Sequence, residues 1–419
     1  MIESASRAPL QGDVHKQALN VTLEVDMEVA DELVGEALIR TVRAHPSLSG
    51  GSEPTVDGVD LRETAPAARR TAAFDVAEEF CRTVFDAAGP RVRGCHVRLG
   101  ESSLIALAID PGACDAWSAN IIADEISDYI DAHLHGVPVE PVMSDDGPTV
   151  MARRADAALS PQGREARDAA RERAGGLSRA WWPEILTTGE PCGTPTESGM
   201  RDLDDAAAEA LSARCRAARA SIFPLALLSL QLLQSDPVTP RAVISTFAAR
   251  ESEEDYVTVG HLAVDVLVPA TLRGLTVHEA LTAIRDDVFD ILGTPAVPWQ
   301  EAAAETGVAS GLTVSVLYLP AQLSGGSTSA SSHVTRASIS VCPTGADLDL
   351  FVIERPPVDD QGRTPLLRLG GMLNRQADGF DLTAVLERWA ACLMELATTD
   401  TPWPELPWPA VASRMTEGA

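Results

Sequence analysis

The sequence predicts an α/β (α+β) protein built as two lobes, and three observations support this prediction. Strand-like and helix-like segments alternate in both halves of the chain, as in folds where helices cover a sheet. The 419 residues are 45% hydrophobic, which is enough for a large core or for two smaller ones. A polar, turn-rich stretch at 193–203 divides the halves. We therefore expect an N-terminal lobe at 1–192 and a C-terminal lobe at 193–419.

The first half shows the alternation clearly. Residues 19–26 alternate as a strand, and apolar residues then recur at helical spacing until Pro46 ends the helix. Two strand-like runs lie within 94–109, and a helix is predicted over 118–133. Residues 151–192 are rich in Ala and Arg and are predicted to be helical.

The second half repeats this pattern. The predicted elements are a helix at 206–233, strands at 242–247 and 261–268, a helix at 277–292, strands at 312–319, 337–342 and 346–354, and a helix at 382–398. The low-complexity stretch 324–336 is predicted to be a mobile loop.

Charge and cysteine usage argue against several classes of protein. The formal net charge of −28 lacks the basic footprint of nucleic-acid binding. The N-terminus has no apolar signal-peptide core, and no run of residues approaches the length of a membrane span. The seven cysteines are scattered, with no C-x-x-C pair, which is typical of a reduced chain. These observations predict a cytoplasmic protein with no contact to nucleic acid or membrane.

Motifs for common cofactors are also missing. The eight histidines form no H-E-x-x-H or other metal-ligand spacing. The sequence has no G-x-G-x-x-G, P-loop or G-x-S-x-G motif. We therefore expect no metal site, and neither nucleotide binding nor hydrolase chemistry has support.

The segment LIALAIDPGACDAWSANII, residues 104–122, combines a buried strand, a break and the start of a helix. Asp110 and Asp115 flank the break. A carboxylate at such a turn can accept backbone N–H bonds at the helix N-terminus, so both aspartates are interpretable as caps without a catalytic task. Cys114 lies inside the turn, either as a nucleophile at a helix N-terminus or, more simply, as a small buried residue.

The order of several segments along the chain carries further information. ALIRTVRAHPSL, AWWPEIL, SIFPLALLSLQLL, ISTFAARESEEDYVTVGHLAVDVLVP, LTVHEALTAIRDDVFDIL and VPWQEAAAE follow one another between about residues 18 and 408. Their order and spacing resemble those of condensation domains from nonribosomal peptide synthetases.

The resemblance implies two chloramphenicol-acetyltransferase-like lobes that form a V with a central tunnel. That family joins thioesters held by carrier proteins through amide formation, and its members are usually monomeric. The implied partners are a peptidyl or acyl carrier protein and its tethered substrate. No cofactor of the protein's own is implied, because the phosphopantetheine arm arrives with the carrier.

The turn after the strand departs from the usual motif of this family, H-H-x-x-x-D-G. Pro111 stands where the second histidine is expected, and proline has no titratable group. Asp110, Asp115, Ala116 and Ser118 instead match the D-x-x-x-x-D-A-x-S pattern of the heterocyclization subclass. That subclass couples Cys, Ser or Thr and cyclodehydrates the product to a thiazoline or oxazoline. The resemblance implies a structural role for both aspartates, and we expect Asp115 to pair with Arg250.

The resemblance also implies candidates for the cyclodehydration chemistry. Asp349, in TGADLD, is the candidate general acid or base. Thr313 fits the family's threonine by residue type, and Ser315 fits it by neighbourhood. The expected tunnel-lining residues are Cys114, Trp117, His261 and Asp265. The alternatives are an exposed acid on an alternating strand for Asp349 and a simple β-former for Thr313.

These observations predict a free-standing condensation- or heterocyclization-like enzyme of nonribosomal peptide biosynthesis. Two alternatives remain open: a silent domain that recruits a carrier protein or a tailoring enzyme, and an acyltransferase that uses CoA thioesters. The sequence departs from the family in lacking S-x-A-Q-x-R and D-F-G-W and in carrying Asp265 where the G-x-x-x-N strand has Asn. An active member is expected to point Asp349 and Thr313 or Ser315 into an open tunnel.

Overall fold

The structure is a computed structural model. It describes residues 18–49, 52–82, 85, 89–138, 147–175, 196–232, 241–247, 250, 252–270, 275–303, 314–320, 333–339, 346–355, 366–375 and 380–399. The strands are β1 Leu19–Val25, β2 Thr55–Asp60, β3 Val92–Arg98, β4 Ser103–Ile109, β5 Glu197–Asp202, β6 Arg241–Phe247, β7 Val264–Ala270, β8 Val314–Leu319, β9 Val334–Ile339, β10 Leu348–Arg355 and β11 Leu366–Leu373. The helices are α1 Asp31–Ala44, α2 Pro66–Cys81, α3 Ala116–Leu134, α4 Gly147–Leu159, α5 Pro161–Gly175, α6 Asp205–Ala218, α7 Ile222–Leu232, α8 Glu253–Val257, α9 Val277–Leu292, α10 Trp299–Ala303 and α11 Leu382–Thr398.

Two mixed sheets organise the described residues, and the predicted α/β class is confirmed. The first sheet has the order β2-β3-β4-β1-β9, and the second has the order β5-β11-β10-β8-β6-β7. Each sheet combines antiparallel pairs with parallel ones, such as β2 with β3 and β8 with β10. None of the described helices combines the length and apolarity needed to cross a membrane.

The first sheet is covered by helices on both faces. Its larger core joins Val21, Leu23 and Val25 of β1 to the inner faces of α1 and α3. On the opposite face, Ala73 and Ala77 of α2 pack against β3 and β4. Every residue of β4 is therefore buried, because neither of its faces meets solvent.

The second sheet has one face packed under helices. Leu348, Leu350 and Val352 of β10 join residues of α6, α7, α9 and α11 in a single large core. Because side chains alternate along a strand, Asp349 points to the opposite face. The core includes Trp389 of α11, whose indole N–H donates to Ser229 Oγ at 2.7 Å. A polar group buried this deeply requires such a partner.

Strand β11 approaches α11 closely. A Cβ added to Gly371 would come within 2.9 Å of Leu382 Cδ1 and 3.4 Å of the Asp349 carbonyl oxygen. Glycine at this position therefore lets the strand lie against both the helix and β10.

Two predicted segments differ from the structure. The helix predicted at 206–233 is broken into α6 and α7 at Arg219, which adopts a left-handed φ of 51°. Pro224 falls in the first turn of α7, where a missing backbone N–H costs nothing, so the chain restarts a helix there. Within the stretch expected as a polar crossover, Glu197–Asp202 forms β5, which pairs with β11 through its backbone as an edge strand.

The chain halves do not separate as cleanly as the predicted lobes. The boundary between residues 192 and 193 lies outside the described residues. Strand β9 comes from the second half but pairs with β1 in the first sheet, with Val334 opposite Val25. Val259, between β6 and β7, is also buried in the first core. Strand β9 begins earlier than the predicted strand 337–342 and takes in the end of the stretch expected as a mobile loop.

A buried ion pair joins the lobes at the start of α3. Asp115 Oδ1 lies 2.9 Å from Arg250 Nη2, and both side chains are almost completely buried. Ser118 Oγ bridges the two, accepting from Arg250 at 2.9 Å and donating to Asp115 at 2.8 Å. We refer to Asp115, Ser118 and Arg250 as the Asp115 cluster.

Backbone groups complete the Asp115 cluster. Asp115 Oδ1 accepts from the Ser118 N–H at 2.8 Å and so caps α3. Its Oδ2 accepts from the N–H groups of Leu262 at 3.0 Å and Ala263 at 2.9 Å. Arg250 donates to the Asp255 carbonyl oxygen and, at 2.8 Å, to that of Thr258. The cluster thereby ties the turn after β4 to the connection between β6 and β7.

We predict that Arg250→Leu lowers the free energy of unfolding by about 3–5 kcal/mol, because it leaves Asp115 as an uncompensated buried charge. Urea unfolding followed by circular dichroism measures this change. The double variant Asp115→Asn/Arg250→Leu should lose less than the sum of the two single variants, because both charges are removed together.

The control is Arg62→Ala, which removes an arginine that pairs with Asp60 at the surface. Its unfolding midpoint should stay at the wild-type value. A midpoint for Arg250→Leu equal to that of Arg62→Ala would contradict a stabilising role for the Asp115 cluster.

Candidate active site

Asp110 stabilises the turn that follows β4. Its Oδ2 accepts from Arg91 Nη1, and its Oδ1 accepts from the Gly112 N–H at 2.8 Å. The Asp110 N–H in turn donates to the Arg91 carbonyl oxygen at 2.8 Å. Both carboxylate oxygens are thus used to hold the turn.

The same holds for Asp115, whose oxygens are engaged within the Asp115 cluster and by the backbone of Leu262 and Ala263. The two aspartates of the D-x-x-x-x-D-A-x-S pattern therefore lie at opposite ends of one turn, each with its own arginine. Pro111, between them, is buried. Both carboxylates of this motif are thus engaged in holding the backbone of the turn and its neighbours.

Trp117 and Cys114 have different surroundings. The Trp117 indole N–H donates to the Tyr256 carbonyl oxygen at 3.0 Å, and its ring lies edge-on to that of Tyr256 with centroids 5.3 Å apart. The Arg250 guanidinium lies 5.7 Å from the Trp117 ring centroid. Trp117 therefore packs between the lobes. Cys114 is fully buried in the first core, as expected of a small apolar residue.

The remaining described cysteines are also in apolar surroundings. Burial raises the pKa of the Cys81, Cys215 and Cys392 thiols to about 12. It raises the pKa of Cys95 to about 11. These four side chains are therefore neutral thiols at physiological pH, a form that is poorly nucleophilic.

His261 and Asp265 lie on the second lobe near the Asp115 cluster. The Asp265 carboxylate accepts from Thr246 Oγ1 at 2.6 Å across β6 and β7. His261 Nδ1 is buried and has no hydrogen-bond partner among the described residues. Neither residue contacts Asp349 through a described hydrogen bond.

Asp349 and Ser315 are brought together by the pairing of parallel strands. The register of β8 and β10 places Ser315 opposite Asp349, so both side chains leave the same face of the sheet. Ser315 Oγ donates to Asp349 Oδ1. Thr313, the other candidate, lies outside the described residues.

Asn374 adds a third side chain that the sequence analysis missed. Directly after β11, its Nδ2 donates to Asp349 Oδ2 at 2.6 Å. The same nitrogen donates to the Ala346 carbonyl oxygen at 2.9 Å. Ser315, Asp349 and Asn374 form what we name the Asp349 network. Each oxygen of the carboxylate thus has a donor from a neighbouring segment.

The Asp349 network is fully enclosed. Asp349 and Ser315 are each 0% exposed, and Asn374 is 7% exposed. Asp349 is therefore not the exposed acid that one interpretation of its strand predicted. In this structure a substrate can touch Asp349 and Ser315 only after the residues that cover them move.

The larger of two described cavities lies elsewhere. A cleft of about 510 Å³ is bounded in the first lobe by Glu24, Asp26, Arg70 and His333, among others. None of the site residues predicted from the sequence lines it. This cleft and the residues predicted from the sequence for the chemistry are therefore at different places.

Comparison with known proteins gives matches at the level of structure. No family model and no curated protein sequence matches the chain. SgcC5 from Streptomyces globisporus, solved with (R)-(-)-1-(2-naphthyl)-1,2-ethanediol and sucrose, is 18% identical with a TM-score of 0.72, over 94% of both chains. The first condensation domain of the calcium-dependent antibiotic synthetase, solved with a substrate analogue, is 14% identical with a TM-score of 0.74, over 92% of both chains.

A third match is the starter condensation domain of rhizomide synthetase RzmA, solved with C8-CoA. It is 15% identical with a TM-score of 0.73, over 93% of this chain and 91% of that one. At such low identities, the likeness establishes the fold rather than the activity. The chain has the fold of the condensation domains of nonribosomal peptide synthetases, as the order of its segments predicts.

Proposed function

We propose that this protein is a condensation-like enzyme of natural-product biosynthesis that cyclodehydrates an intermediate held as a thioester on a carrier protein. The observation that carries the proposal is the Ser315–Asp349 pair. It combines a hydroxyl and a carboxylate on the face of the second sheet opposite its large core. The condensation-domain fold supplies the context, and the heterocyclization-like motif at Asp110 and Asp115 supplies the subclass.

Acid–base chemistry at the first-lobe turn has little support. Pro111 replaces the histidine of ordinary condensation domains, and both neighbouring aspartates are occupied by arginines and backbone donors. A carboxylate elsewhere is needed if a proton is to be moved. Asp349 is a candidate because a hydroxyl and an amide donate to its two carboxylate oxygens.

The reaction can be written so that its protons balance. The substrate's side-chain thiol or hydroxyl adds to the carbon of the preceding amide, and its proton moves to the carbonyl oxygen. The resulting C–OH bond then breaks as the amide nitrogen loses its proton and forms the C=N bond, and one water leaves. Asp349 can accept the proton from nitrogen and supply one to the departing hydroxyl, so it ends in its starting state.

The carrier protein brings the substrate on its flexible arm, and the fold would hold that substrate beside Asp349. Fixing the reacting atoms in this way is itself a large source of rate. Amide formation before the ring closes belongs to the same proposal, since the fold is that of condensation domains.

The enclosure of the Asp349 network favours a second candidate, a silent domain that recruits a carrier protein or a tailoring enzyme. Asp349 and Ser315 have no exposed surface, and Pro111 removes the usual histidine. In such a protein the carboxylate, hydroxyl and amide would serve only to join β8, β10 and β11.

Intact mass spectrometry of loaded carrier proteins distinguishes the two candidates. With the protein present, the proposed function gives transfer of one acyl group followed by the loss of one water. Unchanged masses, together with binding detected by calorimetry, would support the recruiter. A parallel reaction with acyl-CoA in place of the donor carrier tests the third possibility, an acyltransferase that uses CoA thioesters.

We predict that Asp349→Asn lowers the rate of water loss on the order of 10²–10⁴-fold, the usual contribution of a general acid or base. The mass assay under single-turnover conditions measures this rate. Asp347→Asn is the matched control, because it removes a second buried carboxylate from the same segment, one that pairs with Arg375 instead. Full activity of Asp349→Asn would overturn the catalytic assignment.

We predict a smaller loss for Ser315→Ala, about ten- to hundred-fold, because a hydrogen bond to a charged group is removed while the carboxylate remains. Ser315→Thr keeps the hydroxyl and suits a strand, so it should retain most of the rate. If Ser315→Ala and Ser315→Thr are equally slow, the hydroxyl is not the feature that matters.

A further inference from the structure

We propose that Asn374 is a positioning residue that determines which oxygen of Asp349 carries a proton. It holds Oδ2 as an acceptor and leaves Oδ1, beside Ser315, as the oxygen that gains and loses the proton. This inference rests on the proposed function, because it assigns a task to Asn374 in the same chemistry. The orientation of the Asn374 side chain is the first step of the argument.

Two carbonyl and carboxylate oxygens fix the amide of Asn374. Its Nδ2 donates to the Ala346 carbonyl oxygen at 2.9 Å and to Asp349 Oδ2 at 2.6 Å. Its backbone N–H donates to the Asp347 carbonyl oxygen at 2.8 Å. Rotating the amide by half a turn would place its oxygen against two acceptors. The Ala346 carbonyl therefore keeps the NH₂ group directed at Asp349.

The other atom of the amide adds an independent observation. Asn374 Oδ1 is buried and has no hydrogen-bond partner among the described residues. An unmet buried acceptor is costly, so this side chain is poorly explained as a filler of the core. An apolar residue of similar volume would avoid that cost. The contribution of the Asn374 amide at this position is the donor that it supplies to Asp349.

The positions of the donors decide where a proton can sit. A proton on Oδ2 would face the N–H of Asn374. Two hydrogens would then lie between a nitrogen and an oxygen that are only 2.6 Å apart. A proton on Oδ1 faces the Ser315 hydroxyl, which can accept as well as donate. Protonation of Asp349 at Oδ1 therefore requires only that the Ser315 hydroxyl turn from donor to acceptor. Protonation at Oδ2 would instead lose the hydrogen bond from Asn374. The Ser315 side of the carboxylate is consequently the reactive side.

Few described charges face Asp349 from the elements that surround it. Asp347 and Arg375 form an ion pair, with Arg375 Nε 3.3 Å from Asp347 Oδ1. Arg368 of β11 pairs with Asp202 of the edge strand β5, and Asp265 of β7 accepts from Thr246. Tyr318 of β8 belongs to the helix-covered core on the opposite face. Ser315 and Asn374 each donate to one oxygen of the Asp349 carboxylate.

The first experiment is the pH dependence of water loss in the carrier mass assay. Asn374 stabilises the ionised carboxylate, so Asn374→Leu should move the limb of the profile governed by Asp349 to higher pH by roughly one unit. The limb should move to higher pH whether the active form of Asp349 is ionised or protonated. Asn374→Asp keeps the volume but replaces the donor by an acceptor, and it should move the limb further in the same direction.

The second experiment does not depend on activity. Urea unfolding of the wild type, Asn374→Leu, Asp349→Asn and the double variant is measured from pH 3 to pH 7, a range that brackets the ordinary Asp pKa of about 3.9. The hydrogen bond favours the ionised carboxylate in the folded state, so its stabilisation is present at high pH and declines as pH falls. Asn374→Leu should therefore lower the urea midpoint more at pH 7 than at pH 3. That difference should vanish in the Asp349→Asn background.

Asn120→Leu is the control, since Asn120 is a buried amide that donates to the Ala116 carbonyl oxygen within α3. Its effect on the midpoint should not vary with pH through Asp349. If the effect of Asn374→Leu is constant with pH, or survives in the Asp349→Asn background, the positioning role is overturned. If the coupling varies with pH as described but Asp349→Asn cyclodehydrates at the wild-type rate, the positioning role stands and the proposed function fails.

Discussion

One buried ion pair, Asp115 with Arg250, ties the turn after β4 to the connection between β6 and β7. Each charge leaves water and receives its replacement contacts from the backbone of the connection between β6 and β7. Asp115 accepts from two of its N–H groups, and Arg250 donates to two of its carbonyl oxygens. A charge is tolerated in an interior when such groups take the place of its hydration shell. The turn after β4 and the second lobe are consequently held as one unit, with Trp117 filling the space beside them.

This constraint separates the jobs of two sets of carboxylates. Those at the turn after β4 are neutralised by arginines and hold backbone in place. Asp349, by contrast, accepts from the Ser315 hydroxyl and the Asn374 amide and lies within a sheet whose opposite face is apolar. A carboxylate paired with an arginine is a poor carrier of protons, because the ion pair favours its charged form. The carboxylates of the turn are therefore used to hold backbone, and the proposed chemistry is assigned to Asp349.

Much of the fold follows from the sequence, because its amphipathic helices are long and its segments occur in a recognisable order. The helices predicted at 277–292 and 382–398 match α9 and α11 in the structure. Strand β2, with the sequence TVDGVD, was not predicted, since an exposed edge strand carries no apolar alternation. Strand β11 contains two adjacent glycines, which weaken its strand pattern although they allow its close packing.

The candidate site could be predicted only in part for a related reason. Asp115 and Arg250 were expected to pair on the strength of a resemblance, and the structure places them in contact. The pairing of Ser315 with Asp349 depends on the register of two parallel strands far apart in sequence, which packing determines. Asn374 was missed because it follows β11, a strand that was also not predicted. A lone asparagine after a glycine pair is more typical of a turn.

Strand β9 sets the order in which the protein can be built. The first sheet takes its last strand from Val334–Ile339, so β1 waits for a partner that is synthesised after most of the second lobe. A ribosome-bound chain can form β1 to β4 early, but it exposes the open edge of β1 until the later strand arrives. Cutting the gene between the two predicted lobes would leave that edge uncovered in one fragment and an unpaired strand in the other. The two fragments would then be expected to be soluble when they are produced together, but not when each is produced alone.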